Sequence, residues 1–294
     1  MLGSDLCPAL RKNKHEIMPT DINIEKGISF LDVRDISQVE KFVKKFKPQM
    51  IMHLAAETDL EKCEVDKTHA FLTNTIGTQN VALICQKNDL IMVYIGTAGI
   101  FDGKKKGCYN EFDTPNPINI YGKTKWEGEK IVEKLLRRYF IVRAGWMIGG
   151  GKKDKKFTLK IIRQLDNGIK TLHVVNDKWG TPTYTKDFSA CLLKLISTNF
   201  YGLYHMVCRG EGTRYDVARE ILKILGRNDV KIIPVTSKFF AKTYFAPRPP
   251  SEMLENLTLE LRGLNTMRSW QEALDDYLHG HFSARFRKNK KERL

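Results

Sequence analysis

The sequence has 294 residues, a net charge of +15, 42% hydrophobic residues and 10% aromatic residues. This length and composition predict one large or two modest globular domains with a sizeable core. No apolar run approaches the roughly 18 residues of a membrane span, and the first residues lack the basic-then-apolar order of a signal peptide. The basic excess indicates anionic partners or a well-solvated surface.

The cysteines and histidines give no sign of a metal site. The six cysteines are scattered and form no C-x-x-C pair. This spacing predicts reduced thiols in the cytoplasm and argues against a disulfide framework or a zinc site. Among the seven histidines, only His279 and His281 are closely spaced, and we expect no metal there.

Hydrophobic spacing predicts alternating helices and strands along the chain. In chain order these are a helix at 1–14, a strand at 15–20, a helix at 36–46, strands at 50–54 and 90–95, a helix opened by Tyr121, a strand at 140–142 and a helix at KKFTLKIIRQL. The basic residues from 281 to 294 are expected to form a disordered or frayed tail. No nucleic-acid motif accompanies this tail, which disfavours a nucleic-acid partner.

Three polar residues surround the end of the apolar strand at 90–95. Thr97 lies just past that strand, where open parallel sheets bind their ligands. Tyr121 and Lys125 are four residues apart at the start of a helix and therefore share a face. An ammonium beside a phenol is expected to lower the pKa of Tyr121 from about 10 toward neutrality. Although a lone Y-x-x-x-K arises readily by chance, this context favours an acid–base site in which Tyr121 protonates a carbonyl held by Thr97.

The segments GTAGIFDG and YNEFDTPNPINIYGKTKWEGE carry a resemblance to a known family. They resemble the extended short-chain dehydrogenase/reductases, and within them the dTDP-4-dehydrorhamnose reductase branch. That branch reads S-T-D-Y-V-F-D-G and then Y-x-E-x-D-x-x-x-P-x-N-x-Y-G-x-S-K-x-x-G-E. Here Ala98 and Gly99 replace its Asp-Tyr pair, which lies near the sugar in the family.

The resemblance implies an α/β fold, with a Rossmann-type doubly wound parallel sheet and a smaller C-terminal substrate-binding lobe. Residues 1–145 would form the NAD(P)-binding domain, and 146–280 the substrate lobe with segments returning to the core, followed by the tail at 281–294. Gly3 matches the third glycine of the family's dinucleotide loop. The family's first strand and first two glycines have no counterpart, so we expect the reading frame to extend upstream of Met1.

The same resemblance implies NADH or NADPH as the cofactor. Thr97, Tyr121 and Lys125 would be catalytic, and Tyr121 and Lys125 would also contact the cofactor. Asp21, at the end of the strand at 15–20, is expected to bind ribose hydroxyls and to favour NADH over NADPH. The alternative for Asp21 is a turn-forming role before Asn23. The other expected cofactor contacts are Gly3, Asp32, Val33, Leu54, Ala55, Ala56 and Thr58, and Asn74 matches the family's helix asparagine.

Three residues are expected to contact the substrate. Trp146, in RAGWMIGGG, matches the tryptophan of R-x-S-W-x-Y-G, although a tryptophan at a strand end is equally often simple packing. Thr183 lies in a G-x-P-T-Y turn that borders the family's substrate pocket. Arg248 resembles the arginine of an R-P-x-x-S motif, here with one residue fewer before the serine.

The expected activity is NAD(P)H-dependent reduction of the 4-keto group of a nucleotide-linked deoxysugar, as in dTDP-rhamnose biosynthesis. A nucleotide-sugar epimerase of the same superfamily is the nearest alternative. A non-catalytic NAD(P)-binding regulatory subunit is the alternative from another class, and the intact Thr–Tyr–Lys set argues against it. Ala98 and Gly99 supply no acid pair after Thr97, which argues against a dehydratase. Oligomeric state, including a homodimer, is left open.

Overall fold

The computed structural model describes residues 1–154 and 156–291, with the backbone alone described at 152 and 283–291. The helices are α1 (Leu2–Lys12), α2 (Ile36–Phe46), α3 (Leu60–Val65), α4 (Lys67–Phe71), α5 (Gly77–Lys87), α6 (Ile120–Leu135), α7 (Phe157–Asp166), α8 (Thr185–Ile196), α9 (Arg214–Ile224), α10 (Leu257–Leu261) and α11 (Trp270–Lys291). The strands are β1 (Thr20–Asp21), β2 (Ser29–Phe30), β3 (Met50–His53), β4 (Ile91–Thr97), β5 (Tyr139–Ala144), β6 (Trp146–Ile148), β7 (Thr171–Val175), β8 (Trp179–Gly180), β9 (Pro182–Tyr184), β10 (Gly202–His205), β11 (Gly212–Thr213), β12 (Lys231–Val235) and β13 (Ser251–Glu252).

A four-stranded parallel sheet in the order β10-β5-β4-β3 forms the centre of the fold. Because successive side chains point to opposite faces, β4 contributes to two cores. Met92 and Tyr94 pack with residues of α2, α5 and α6, whereas Val93 packs on the other face with residues of α1 and α8. Helices therefore cover both faces, which explains why β4 and β5 read as continuous apolar runs. These layers confirm the predicted α/β architecture.

β1 and β2 form a separate parallel pair. Thr20 pairs with Ser29 and Asp21 with Phe30, and in the described part of the chain no ladder joins this pair to β3. The strand predicted over 15–20 is therefore confined to its last residue and Asp21. The connection from β2 to β3 is α2, whose bounds agree with the predicted helix at 36–46. Its cap is Asp35, whose carboxylate accepts hydrogen bonds from two amides of the first turn.

The segments after β5 contain three small sheets, and the part of the chain that holds them is here called the C-terminal lobe, whose role in substrate binding stays a prediction. Its strands form the parallel pairs β6–β9 and β7–β12 and the three-stranded order β11-β8-β13. The chain then returns to the central sheet, because β10 pairs in parallel with β5. One apolar cluster contains side chains from α1, β5, α7, α8 and α9, so the lobe and the sheet share a core.

The end of the chain differs from the sequence-based expectation. The backbone of α11 continues to Lys291, with non-helical dihedral angles at Phe282. The tail predicted as disordered or frayed at 281–294 therefore has a helical backbone up to Lys291, and residues 292–294 of that tail lie outside the described residues. Across the described residues, no helix combines the length and the apolar character that a membrane crossing needs.

Candidate active site

The start of α6 is held against the end of β4 by hydrogen bonds and by a glycine contact. Asn119 caps the helix, its side-chain oxygen accepting from the Gly122 amide at 2.7 Å. The Ile120 amide donates to Glu64 Oε1 at 2.8 Å. A Cβ at Gly122 would overlap the carbonyl oxygen of Gly99, so only glycine lets the helix approach this turn. This close approach places Tyr121 beside Thr97.

Thr97 and Tyr121 meet at the end of β4, and Lys125 lies one turn further along α6, while the catalytic roles of all three stay predictions. The side chains of Thr97 and Tyr121 lie close together beside Gly99, and Thr97 Oγ1 accepts a hydrogen bond from the Gly99 amide at 3.1 Å. Tyr121 is half-buried, whereas Lys125 is only 3% exposed. Lys125 Nζ lies 4.0 Å from the centroid of the Tyr94 ring, a cation–π contact.

The expected effect of Lys125 on Tyr121 is wrong in its direction. Burial raises the pKa of Tyr121 to about 12, and the neighbouring Thr97 hydroxyl offsets part of this rise. Burial also lowers the pKa of Lys125 to about 7, against the opposing influence of Glu129. A lysine that is half neutral near pH 7 is a weak source of positive charge, so desolvation of the phenol dominates.

Asn74 joins the loop that follows β3 to the start of α6. It lies in a π-helical turn between α4 and α5, a feature frequent at functional sites. Its side chain accepts from the Glu57 amide at 2.8 Å and donates to the Glu57 carbonyl at 3.1 Å and to Thr124 Oγ1 at 3.0 Å. Thr124 in turn donates to the Tyr121 carbonyl. Asn74 therefore helps to fix the backbone that carries Tyr121.

The residues expected around the cofactor diphosphate lie at the carboxyl end of β3. Gly3 is in the first turn of α1, and a Cβ there would lie 3.8 Å from Leu54 Cδ1. No side chain caps α1, and within its first turn the Ser4 amide donates to the Met1 carbonyl at 3.1 Å. Ala55 is exposed and Ala56 half-buried, which leaves room for a close approach. These features fit a dinucleotide diphosphate.

The residues expected around the adenosine lie near β1 and β2. The Asp21 carboxylate accepts from the Asn23 amide at 2.8 Å and from Asn23 Nδ2 at 3.1 Å, as in the turn-forming alternative. Asp32 forms a 2.6 Å ion pair with Arg34, which lowers the pKa of Asp32. Val33 is buried, and its carbonyl accepts from Asn80 Nδ2. The cofactor roles of these residues stay predictions.

The predicted substrate residues occupy different environments. Trp146 is 9% exposed, and its indole Nε1 donates to Glu252 Oε2 at 2.8 Å. Arg248 is half-buried and forms a 2.8 Å ion pair with Glu61. Thr183 is fully buried, and its hydroxyl donates to the Thr181 carbonyl at 3.2 Å. This environment gives Thr183 a supporting position in the β6–β9 pair.

The remaining expected contact, Thr58, lies beside a group of positive charges. Thr58 is exposed, and its hydroxyl accepts from Lys156 Nζ at 3.2 Å. Desolvation lowers the pKa of Lys156, and the charges of Arg214 and Lys160 add to this effect. No group of three or more His, Cys, Asp or Glu side chains suited to a metal occurs in the described part of the chain.

Comparison with known proteins places this arrangement in a family. The family model described as the RmlD substrate binding domain matches residues 1–282. The chain belongs to this family. A dTDP-4-keto-6-deoxy-D-glucose reductase from Streptomyces niveus is 32% identical over 275 residues, which are 93% of this chain and 92% of that protein.

Solved structures extend the RmlD family match to three dimensions. A dTDP-4-dehydrorhamnose reductase from Clostridium acetobutylicum superposes with a TM-score of 0.87, is 36% identical and covers 94% of both chains. One from Bacillus anthracis, in complex with NADP, gives 0.87 and 34% identity over 95% of both chains. The resemblance stated from the sequence and its Rossmann-type fold are therefore confirmed.

Two charged residues within the stretch that matches the RmlD family escaped the sequence analysis. The guanidinium carbon of Arg214 lies 3.6 Å from the centroid of the Trp146 ring, and burial lowers the Arg214 pKa to about 10. Glu252 accepts the hydrogen bond from Trp146. A signal existed for Arg214, because it follows Thr213, whose capping box with Asp216 marks a helix start. Glu252 directly follows the R-P-P-S segment, where only Arg248 drew attention.

Proposed function

We propose that this protein reduces the 4-keto group of a nucleotide-linked deoxysugar, with NADH or NADPH as the reductant. The observation that carries this proposal is the close approach of the Thr97 and Tyr121 side chains at the carboxyl end of β4, with Lys125 on the next turn of α6. Membership in the RmlD family and the reductase relatives support the same chemistry. The NADP held by the Bacillus anthracis relative supports the choice of cofactor class.

The residues of the site suit protonation of a ketone. When bound, the reduced nicotinamide supplies the hydride that adds to the carbonyl carbon. Tyr121 gives its phenolic proton to the carbonyl oxygen, and Thr97 hydrogen-bonds that oxygen, so the ketone becomes a secondary alcohol. A Tyr121 pKa of about 12 keeps the phenol protonated at neutral pH, which is the form that a reduction needs. The phenol is then reprotonated from solvent.

Positive charge at the mouth of the site suits the diphosphate of a nucleotide sugar. Arg214 stacks on Trp146 and forms no salt bridge with any residue in the described ranges. Lys156 and Lys160 flank it on α7 and the preceding loop, and Lys160 Nζ donates to the Tyr244 hydroxyl at 3.2 Å. Such charges also raise the association rate of an anionic substrate. The six free cysteines support a reducing, cytoplasmic setting.

The alternatives make different predictions. A nucleotide-sugar epimerase would return the cofactor to its starting state, and a regulatory subunit would bind dinucleotide without turnover. The test is incubation with NADPH or NADH and dTDP-4-dehydrorhamnose, following nicotinamide absorbance and identifying the sugar product. We expect stoichiometric oxidation of the cofactor and formation of a 4-hydroxy sugar. Isomerised sugar with unchanged cofactor would instead establish the epimerase, and absence of both reactions would contradict catalysis.

A further inference from the structure

Glu252 brings a carboxylate next to Gly99, which lies buried beside Thr97 and Tyr121. It is half-buried on β13, which pairs with β8 so that Glu252 lies opposite Gly180. A Cβ at Gly180 would overlap the Trp146 indole, so this glycine lets the ring lie flat on β8. Trp146 then donates to Glu252 Oε2, which fixes the orientation of the carboxylate.

The second carboxylate oxygen, Oε1, points toward the catalytic pair. A Cβ built on Gly99 would lie 3.4 Å from Thr97 Oγ1, 3.5 Å from Tyr121 Cε1 and 3.5 Å from Glu252 Oε1. The three groups therefore surround one methyl-sized space next to the reacting position. Glu252 also opposes ionisation of Tyr121 through its charge, which agrees with this proximity.

Glu252 Oε1 has no hydrogen-bond donor among the residues that the structure describes, and Arg214 forms no ion pair with it there. An ionised carboxylate accepts hydrogen bonds only, so this oxygen can accept one from a bound ligand. Sugar hydroxyls are such donors. With the keto oxygen held by Thr97 and Tyr121, the hydroxyl nearest to Glu252 is one on a carbon adjacent to the ketone.

We infer that Glu252 is a specificity-determining residue that accepts a hydrogen bond from the hydroxyl on C3 of a 4-keto sugar. In this assignment, which rests on the proposed function, Trp146 orients the carboxylate, and the absence of a side chain at Gly99 keeps the space between Glu252 and the Thr97–Tyr121 pair free. A charged acceptor deprived of its donor in a closed site disfavours an analogue that lacks the hydroxyl. The protein therefore selects 4-keto sugars that carry a C3 hydroxyl.

The test compares kcat/KM for a nucleotide-linked 4-keto-6-deoxysugar with that for its 3-deoxy analogue, using NADPH. The unsubstituted protein should prefer the hydroxylated sugar by about 10- to 100-fold, the range for a hydrogen bond to a charged group. Glu252→Ala should reduce that preference to within about threefold, mainly by slowing the hydroxylated sugar. Glu252→Gln, which keeps the size and one acceptor oxygen, should retain part of it.

Glu255→Gln is the matched control, because Glu255 lies three residues further on, is exposed and accepts from Asn110 Nδ2. Glu255→Gln should keep the full preference for the hydroxylated sugar. The melting temperatures of the variants should equal that of the unsubstituted protein. An unchanged preference in Glu252→Ala and Glu252→Gln, with normal turnover, would overturn the role of Glu252 alone. Lack of turnover of both sugars by the unsubstituted protein would overturn the proposed function together with this role.

Discussion

The central sheet and the β1–β2 pair differ sharply in how they are held. In the sheet, β4 pairs with β5 over six residues, and helices cover both faces. The β1–β2 pair has two residues in each strand, and Phe30 within it is 50% exposed. The sheet carries Thr97 and supports Tyr121, whereas the pair carries Asp21. The reacting end of the site is therefore rigidly built, while the end expected to hold adenosine is lightly packed.

Because of this difference, stability and cofactor choice should respond to substitutions in different regions. Side chains near β4, β5 and α6 are held both by packing and by hydrogen bonds, such as the one that the Gly122 amide donates to Asn119. Residues near β1 rest on local turns such as Asp21 to Asn23. Substitutions in the sheet should therefore alter stability and turnover, whereas substitutions near β1 should alter cofactor choice and leave the fold intact.

The largest expected difference between the two regions is in stability, and replacing one phenylalanine in each region measures it. Phe140 in β5 is fully buried, so Phe140→Ala should lower the free energy of unfolding by about 3–5 kcal/mol. Phe30→Ala in β2 should change it by less than about 0.5 kcal/mol, because half of that side chain is already exposed. Urea titrations of the two variants measure the difference. Similar losses would show that the β1–β2 pair is as firmly packed as the sheet.

The dependence of the unfolding free energy on acid pH gives a second test, because the central sheet contains two buried histidines. Burial lowers the pKa of His53 in β3 and of His205 in β10 to about 3, against about 6.5 in an unfolded chain. Between these values the unfolded chain binds protons that the folded chain does not. Stability should therefore fall as the pH drops from about 6.5 toward 3, by up to about 1.4 kcal/mol per pH unit for each histidine.

His205→Gln tests this directly, since glutamine takes up no proton in that window. The slope of unfolding free energy against pH should become shallower by up to about 1.4 kcal/mol per unit, even if the variant is less stable overall. Urea titrations at several pH values between 4 and 6 give both slopes. An identical slope in the variant would mean that His205 is already protonated in the folded protein.

The smallest expected effect is on cofactor choice. A carboxylate at Asp21 should repel the 2′-phosphate of NADPH, so the protein should prefer NADH, and Asp21→Ala should narrow the gap by roughly fivefold, about 1 kcal/mol for exposed charges. Asp229→Ala, in an exposed ion pair of the other lobe, is the control. Ratios of kcat/KM for the two cofactors report the change. A strong preference of the unsubstituted protein for NADPH would contradict the assignment.

Elements marked by clear apolar spacing and residues within a long motif could be predicted from the sequence. The bounds of α2 followed from its apolar spacing, and the meeting of Thr97 with Tyr121 followed from the motif. The length of β1 escaped the sequence analysis, because apolar residues at 15–19 read as strand without forming a ladder. The Tyr121 pKa escaped it as well, because spacing shows a neighbouring charge but not burial. Glu252 required tertiary structure, since it reaches Tyr121 from the far end of the chain.

In the proposed reaction, Tyr121 protonates the keto oxygen of the substrate while the packed central sheet and α6 hold Tyr121 in place. Tyr121→Phe removes one hydroxyl from a half-buried ring, and Tyr201→Phe, whose lost hydroxyl donates to Asn199 and interacts with Arg138, is its control. Steady-state kinetics with the 4-keto sugar should show kcat lowered by about 10²–10⁴-fold in Tyr121→Phe, with cofactor affinity and melting temperature retained. Turnover of Tyr121→Phe within a few-fold of the unsubstituted protein would contradict the claim.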